Sequence, residues 1–184
     1  MRTEIVLSGY GGQGLLMAGG ILGEAAAIYE GLNATNNQTY GVQARGGESR
    51  SEIIVSDEEI NYAEIEHPDI LLAMSQSALN KFAPAAKDDT LIIVDTTFVE
   101  DWSFIKNPER IKQYEITGTA VKETGRSILA NIVALGIIAK LTGVVSEENL
   151  LQAVLKKAPA GTQEANTKAL RGGVRIAVQA DEEG

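Results

Sequence analysis

The sequence predicts an α/β protein, a single-domain layered fold in which a mostly parallel central sheet is flanked by helices and the C-terminal third is helical. Three observations predict this class. An apolar run at residues 4–8 breaks into a glycine-rich turn before a helical pattern, and residues 69–74 and 90–95 are continuous apolar runs, as in buried parallel strands. From residue 127 onward the periodicity is helical. We expect one domain over residues 1–184, since 44% of the 184 residues are hydrophobic and no linker interrupts them.

The first half of the chain continues from the glycine-rich turn into a helix and two further strands. Residues 15–27 are apolar on most of the helix circumference, with small side chains that allow a close approach to a sheet, and Gly31 ends this helix. Residues 32–38 are predicted to form a polar second strand and residues 39–47 a loop. Residues 49–56 are rich in β-branched side chains and are predicted to form a third strand.

The second half alternates strands with a helix and then becomes helical. A short helix at residues 75–83, limited by Pro84, is predicted between the two buried strands, and a weaker strand at residues 112–116. The remaining predicted elements are helices at residues 127–141, 146–158 and 162–179 and a frayed tail at residues 181–184.

Composition excludes several classes of function. The chain has no cysteine, which excludes disulfides, thiolate zinc sites and cysteine-ligated iron–sulfur clusters on this polypeptide. The net charge of −9 argues against general nucleic-acid binding, which needs a basic face. No apolar run is long enough to span a membrane, and the N-terminus lacks the features of a signal peptide, so we expect a cytoplasmic protein with no membrane partner.

The glycine-rich turn after the first strand is the first candidate site. Gly9, Gly11 and Gly14 have the spacing of the dinucleotide-binding fingerprint, between a predicted strand and a predicted helix. The fingerprint also needs a carboxylate at the end of the second strand, where this chain has asparagines such as Asn36. The glycines therefore serve either an anion at the helix N-terminus or tight packing of strand against helix.

The second candidate site is the segment at residues 38–50, which places two arginines among glycines, hydroxyl groups and a tyrosine. Arg45 and Arg50 can form a forked surface for phosphate or carboxylate, because guanidinium groups bind these anions bidentately. The alternative is that both arginines pair with nearby carboxylates, such as Glu48 and Glu52, or with an acidic partner subunit.

Three single residues are weaker candidates. His67 is alone in an acidic turn and is predicted to be a surface histidine, since no second histidine can complete a metal site. Asp95 ends a strand, where it is either functional or a cap for the following turn. Asn131 lies within an apolar helix and is predicted to bond a backbone carbonyl.

Together the two glycine-rich segments resemble the signatures of the gamma subunit, or gamma domain, of the 2-oxoacid:ferredoxin oxidoreductases. Residues 9–14 are similar to the Gly-Gly-Gln-Gly loop of that family, and residues 38–50 to its second signature. Residues 69–76 and 131–136 continue the similarity over nearly the whole chain. Within the family the chain is most similar to the 2-oxoglutarate branch, while the pyruvate, branched-chain oxoacid and indolepyruvate branches share much of these motifs.

The resemblance implies a subunit of an enzyme that decarboxylates a 2-oxoacid on thiamine diphosphate, transfers the acyl group to coenzyme A and passes electrons through iron–sulfur clusters to ferredoxin. It implies that these cofactors lie on alpha, beta and delta partner subunits, with no catalytic or metal-binding residue on this chain. We expect the two loops to face coenzyme A or the subunit that carries thiamine diphosphate, through Gly9, Gly11, Gly12, Gln13, Gly14, Tyr40, Arg45, Gly46, Gly47, Ser49 and Arg50.

Two other functions fit parts of the pattern. One is a free-standing dinucleotide-binding redox protein built on the glycine fingerprint, which the missing ribose carboxylate disfavours. The other is a non-catalytic assembly module whose loops bind only other subunits. Self-association of the isolated chain is also expected if apolar partner surface is left open.

Overall fold

The structure is a computed structural model that describes residues 1–40 and 47–183. The six strands in these ranges are β1 (Arg2–Tyr10), β2 (Asn33–Tyr40), β3 (Glu48–Ser56), β4 (Ile70–Ala73), β5 (Leu91–Asp95) and β6 (Ile111–Tyr114). The α-helices are α1 (Leu15–Glu24), α2 (Gln76–Phe82), α3 (Ile116–Thr124), α4 (Ala130–Thr142), α5 (Glu147–Lys157) and α6 (Gln163–Glu183). A π-helical segment, Ala25–Tyr29, extends α1, and a short 3₁₀ turn, Ser127–Leu129, precedes α4.

The strands form one sheet in the order β2-β3-β1-β4-β5-β6. Strands β1, β4, β5 and β6 are parallel, whereas β3 is antiparallel to both of its neighbours. The chain leaves β1 toward one side of the sheet and leaves β4 toward the other, so the carboxyl ends of these two strands flank a topological switch point. Ligands of open α/β sheets bind at such a point.

Two apolar cores cover the two faces of the sheet. One core contains Ile5 and Leu7 of β1 and most of the helical C-terminal third, including α4, in which every residue from Ala130 to Ala139 is buried. The other core contains Val6 of β1 and the buried side of α2. Alternate residues of β1 therefore face different cores, as the pleat of a strand requires.

Glycines bring the two longest helices of the first core into close contact. A Cβ atom on Gly136 of α4 would lie 2.3 Å from the carbonyl oxygen of Leu170, and one on Gly173 of α6 would lie 2.0 Å from that of Val133. Gly173 therefore does not interrupt α6 but allows it to pack backbone to backbone against α4.

The predicted fold class is confirmed, and three of the predicted boundaries are wrong. Residues 112–116 were expected to be a strand, but β6 ends at Tyr114 and Ile116 begins α3, a helix that the sequence pattern did not reveal. Strand β2 continues to Tyr40, beyond the predicted loop boundary, and α6 continues to Glu183 through the predicted tail. Among the described residues, no helix is both long and apolar enough to cross a membrane.

Candidate functional site

The glycine loop, Gly9 to Gly14, connects β1 to α1 at the switch point of the sheet. Gly12 and Gly14 have φ angles of +96° and +74°, which side-chain-bearing residues rarely adopt. Gly14 is the N-cap of α1 and has no side chain that could accept hydrogen bonds from the first N–H groups of this helix. The start of this helix is therefore an uncapped positive end that favours an anion.

Asn131 fixes the position of this loop from the first turn of α4. Its Nδ2 atom donates a hydrogen bond to the carbonyl oxygen of Gly14 at 3.1 Å, and its side chain is buried. A Cβ atom on Gly14 would lie 2.6 Å from that Nδ2 atom, so glycine is needed there for space as well as for φ. The prediction that Asn131 bonds a backbone carbonyl is confirmed.

Gln13 ties the glycine loop to the neighbouring strand β4. Its Nε2 atom donates to the carbonyl oxygen of Met74 at 2.9 Å, and its Oε1 atom accepts from the Tyr10 N–H at 2.6 Å. A Cβ atom on Gly9 would lie 2.2 Å from Oε1, so Gly9 makes room for the folded-back amide. For Gly9 and Gln13, the observed contacts are those of the packing alternative.

The last residues of the second signature, from Gly47 to Arg50, lie beside the glycine loop because β3 pairs with β1. The Gly11 N–H donates to the carbonyl oxygen of Gly47 at 2.7 Å, and Gly9 lies opposite Ser49 in the ladder. Tyr40, the last residue of β2, lies opposite Ser49 on the other side of β3. Three further residues of the second signature, Gly41, Arg45 and Gly46, lie outside the described residues.

Arg50 points away from the glycine loop. Because side chains alternate along β3, Ser49 lies on the α1 side of the sheet and Arg50 on the α2 side. The Arg50 guanidinium pairs with the carboxylate of Glu52 and lies 4.8 Å from the ring centre of Phe82. For this arginine, the predicted pairing with a nearby carboxylate is observed.

A cleft of about 150 Å³ opens beside the glycine loop, where three helices begin. Gly12 and Gln13 precede α1, Thr117 is the second residue of α3, and Ser127 begins the 3₁₀ turn that leads into α4. Phe98, Ile128 and Ala130 form its apolar part. The cleft therefore combines polar helix ends with an apolar wall, a combination that suits a ligand with an anionic group and an apolar part.

Asp95 does not line this cleft, but it holds the start of α3, which does. The buried carboxylate accepts hydrogen bonds from the N–H groups of Thr97 and Ile116, each at 3.1 Å, and from the N–H and Oγ1 of Thr117. The capping alternative for Asp95 is thus observed, and the carboxylate satisfies the first N–H groups of α3.

The structure also shows which residues the sequence patterns missed. Thr117 was not identified as a site residue because α3 was not predicted. The carboxylate that caps α3 belongs to Asp95, which lies in a strand about twenty positions earlier. Phe98 lies in an irregular segment with no motif, and the sequence identified Ser127 only as the first residue of a predicted helix. His67 is exposed and its Nδ1 atom lies 2.8 Å from the carbonyl oxygen of Ala85, so the predicted surface histidine is confirmed.

The topology also weighs against the free-standing dinucleotide-binding alternative. In a dinucleotide-binding fold the second strand lies beside the first and its terminal carboxylate holds the ribose. Here the antiparallel strand β3 separates β2 from β1. Glu48 lies opposite Tyr10, but its carboxylate bonds the Lys81 ammonium on the α2 side, at 2.6 Å.

Comparisons with known proteins agree with this geometry. The model of the pyruvate ferredoxin/flavodoxin oxidoreductase family matches residues 4–176. A 2-oxoglutarate synthase subunit KorC of Methanocaldococcus jannaschii is 43% identical over 180 residues, which are 96% of this chain and 95% of that protein. The crystal structure of a keto/oxoacid ferredoxin oxidoreductase gamma subunit from Geobacter sulfurreducens is 41% identical, with a TM-score of 0.88 and 98% of both chains covered.

A third protein is similar at the level of the fold. The 2-oxoglutarate:ferredoxin oxidoreductase of Magnetococcus marinus is 23% identical, with a TM-score of 0.83, over 97% of this chain and 31% of that one.

The chain belongs to the pyruvate ferredoxin/flavodoxin oxidoreductase family. Within this family it is a gamma-type subunit of a multi-subunit 2-oxoacid:ferredoxin oxidoreductase, as the resemblance of its two glycine-rich segments implied.

Proposed function

We propose that this subunit works in a complex that oxidatively decarboxylates 2-oxoglutarate, transfers the acyl group to coenzyme A and reduces ferredoxin. The archaeal relative is named a 2-oxoglutarate synthase subunit, and the Magnetococcus marinus structure holds 2-oxoglutarate, coenzyme A and succinyl-CoA, which supports this choice. In the proposal, alpha, beta and delta partner subunits carry the thiamine diphosphate and the clusters, since this chain has no cysteine for a cluster. A cytoplasmic location is part of the same proposal.

In this proposal, the chain contributes one wall of the coenzyme A site. The observation that carries the proposal is the hydrogen bond from Gly11 N–H to the Gly47 carbonyl, which holds the end of the second signature against the glycine loop beside the uncapped end of α1. The Gly12 backbone is exposed there, and no atom of the described residues lies within 4 Å of the position that a Cβ would take. An open backbone at the positive end of a helix suits a phosphate group of coenzyme A.

The size of the cleft explains why other subunits are needed. Pockets that bury a drug-sized ligand have volumes of roughly 300–1,000 Å³. The cleft beside Gly12 measures about 150 Å³, which is enough for only part of coenzyme A. A partner subunit therefore supplies the other walls, and the 2-oxoacid is selected outside this chain.

The two predicted arginines have different roles in this proposal. Arg50 is held by Glu52 and Phe82, so its contribution is to position β3 beside the glycine loop. Arg45 belongs to the segment that follows β2 and remains the predicted guanidinium contact for coenzyme A. Tyr40, Gly46, Gly47 and Ser49 complete the proposed second loop.

The test is the activity of the reconstituted complex with a panel of 2-oxoacids and with varied coenzyme A. The highest kcat/KM is expected with 2-oxoglutarate, and a preference for pyruvate or a branched-chain oxoacid would overturn the substrate choice. Arg45→Ala should raise the KM for coenzyme A by about tenfold, a loss of about 1.4 kcal/mol, whereas Arg50→Ala should leave it nearly unchanged. An unchanged KM in the Arg45 variant would favour a loop that binds only other subunits.

A further inference from the structure

An apolar groove of about 220 Å³ runs beside the glycine loop, and the proposed coenzyme A site does not use it. We call it the α1–α5 groove, because α1 forms one side and the end of α5 with the following residues forms the other. Its apolar lining consists mainly of Met17, Ile21, Ile128, Leu129, Val154 and Pro159.

Two of the lining side chains are unusually exposed for their size. Ile128 is 57% exposed and Met17 is 46% exposed, although both are large apolar residues. Ile128 also lines the cleft at Gly12, so the groove and the cleft are continuous at this side chain. Adjacent exposed apolar side chains around a groove are typical of a surface that another protein covers.

The charges at the rim of the groove indicate the chemistry of what covers it. Arg126 is exposed at the rim, and its guanidinium has no hydrogen bond or ion pair with the described side chains and backbone of residues 1–39 and 47–180. Lys157, the other cation at the rim, is paired with Glu24 at 3.1 Å. In a chain with a net charge of −9, an unpaired arginine beside an apolar groove favours a partner with a carboxylate.

We propose that the α1–α5 groove docks another subunit of the oxidoreductase through an apolar segment flanked by an aspartate or glutamate. The inference rests on the proposed function, in which partner subunits complete the site. A second copy of this chain suits the groove less well, because a two-fold axis through it would bring two Arg126 side chains together and join two chains of −9 charge. Docking covers Met17 and Ile128 and closes the apolar side of the cleft at Gly12.

The experiment is co-purification of the tagged chain with the other subunits of the oxidoreductase after co-expression. Ile128→Glu should lower the recovery of those subunits by about tenfold, equivalent to about 1.4 kcal/mol. Arg126→Glu should also lower the recovery of those subunits. Added salt should make the recovery with Arg126→Glu more similar to that with the wild-type chain, because salt screens the charge interaction. The matched control is Phe104→Glu: Phe104 is 45% exposed beside Ile105 of the opposite core, and its substitution should leave recovery unchanged.

A photo-crosslinking residue at position 128 identifies the occupant in the assembled complex. A crosslink to an apolar segment of another subunit with an adjacent carboxylate supports the inference. Wild-type recovery in Ile128→Glu, or a crosslink only to a second copy of this chain, overturns it and leaves the proposed function standing. If the wild-type chain recovers no other subunit, the proposed function falls and the inference falls with it. Circular dichroism melts of each variant separate lost docking from lost folding.

Discussion

Replacing Asn131 by alanine removes the contact that connects the helical core to the glycine loop. The Asn131 side chain is 1% exposed, and its Nδ2 atom donates to the Gly14 carbonyl oxygen at 3.1 Å. Its Oδ1 atom also accepts from the N–H of Ile132 at 2.9 Å, in the first turn of α4. The substitution therefore frees the start of α1 and uncaps one N–H group of α4.

The expected loss of unfolding free energy is about 2 kcal/mol. Each hydrogen bond contributes about 1 kcal/mol net, and removal of a cap costs a similar amount. The Gly14 carbonyl keeps its bond from the Ala18 N–H at 3.0 Å, so no buried acceptor is left wholly unpaired and the loss stays near this value. For a domain of this size, the melting temperature should fall by roughly 4–8 °C.

Urea denaturation of the isolated chain and the KM for coenzyme A of the assembled complex test this reasoning together. The control is Asn149→Ala, since Asn149 Nδ2 also donates to a carbonyl oxygen at 3.1 Å, that of Tyr29, far from the loop. Both variants should lose stability, but only Asn131→Ala should raise the KM. A loss below about 0.5 kcal/mol, or equal KM values in the two variants, would refute the argument.

Two further predictions concern the packing of the helices. The Lys156 ammonium pairs with the Glu24 carboxylate at 2.6 Å, and this contact lowers the pKa of the carboxyl. The ion pair therefore stabilises the fold at pH values above the ordinary pKa of 4.5, and this stabilisation is lost as the pH falls through the lowered pKa of the folded state. Glu24→Gln should therefore cost about 0.5–1 kcal/mol at pH 7 and progressively less as the pH falls below 4.5, and a cost in urea melts that does not shrink with falling pH would contradict this. Gly173→Ala should lower stability by about 1–3 kcal/mol, since the new Cβ meets the Val133 carbonyl, and thermal melts should show a smaller loss for Gly172→Ala, whose Cβ meets a flexible side chain at 3.0 Å.

The sequence patterns predicted most of the fold because most of its elements are determined locally. Continuous apolar runs identified β4 and β5, and a serine followed by two glutamates correctly predicted the start of α5, where Ser146 accepts from the Asn149 N–H. Helix α3 was missed because its first N–H groups are satisfied by Asp95, a residue of β5. A cap that comes from another element leaves no local signal.

The candidate site was predictable in its parts but not in its arrangement. The two signatures were identified from their glycines, and β1–β3 pairing brings them together through Gly11 and Gly47. Adjacent strand residues lie on opposite faces, but which face takes Ser49 and which takes Arg50 depends on the register of β3, which the sequence pattern of one strand does not specify. Thr117 and Ser127 reach the cleft only because α3 and α4 begin there.

The claim that the glycine loop forms a wall of the coenzyme A site is tested most directly by a charge at Gly12. Asparagine and aspartate are the side-chain-bearing residues found most often at positive φ, and the φ of +96° strains both alike, so Gly12→Asn and Gly12→Asp differ mainly in charge. In the reconstituted complex, Gly12→Asp should raise the KM for coenzyme A by about 5- to 30-fold over Gly12→Asn, since a like charge near a phosphate costs about 1–2 kcal/mol. Gly31→Asp, at another open glycine with φ of +72°, should have no such effect, and equal KM values for the two Gly12 variants would contradict the claim.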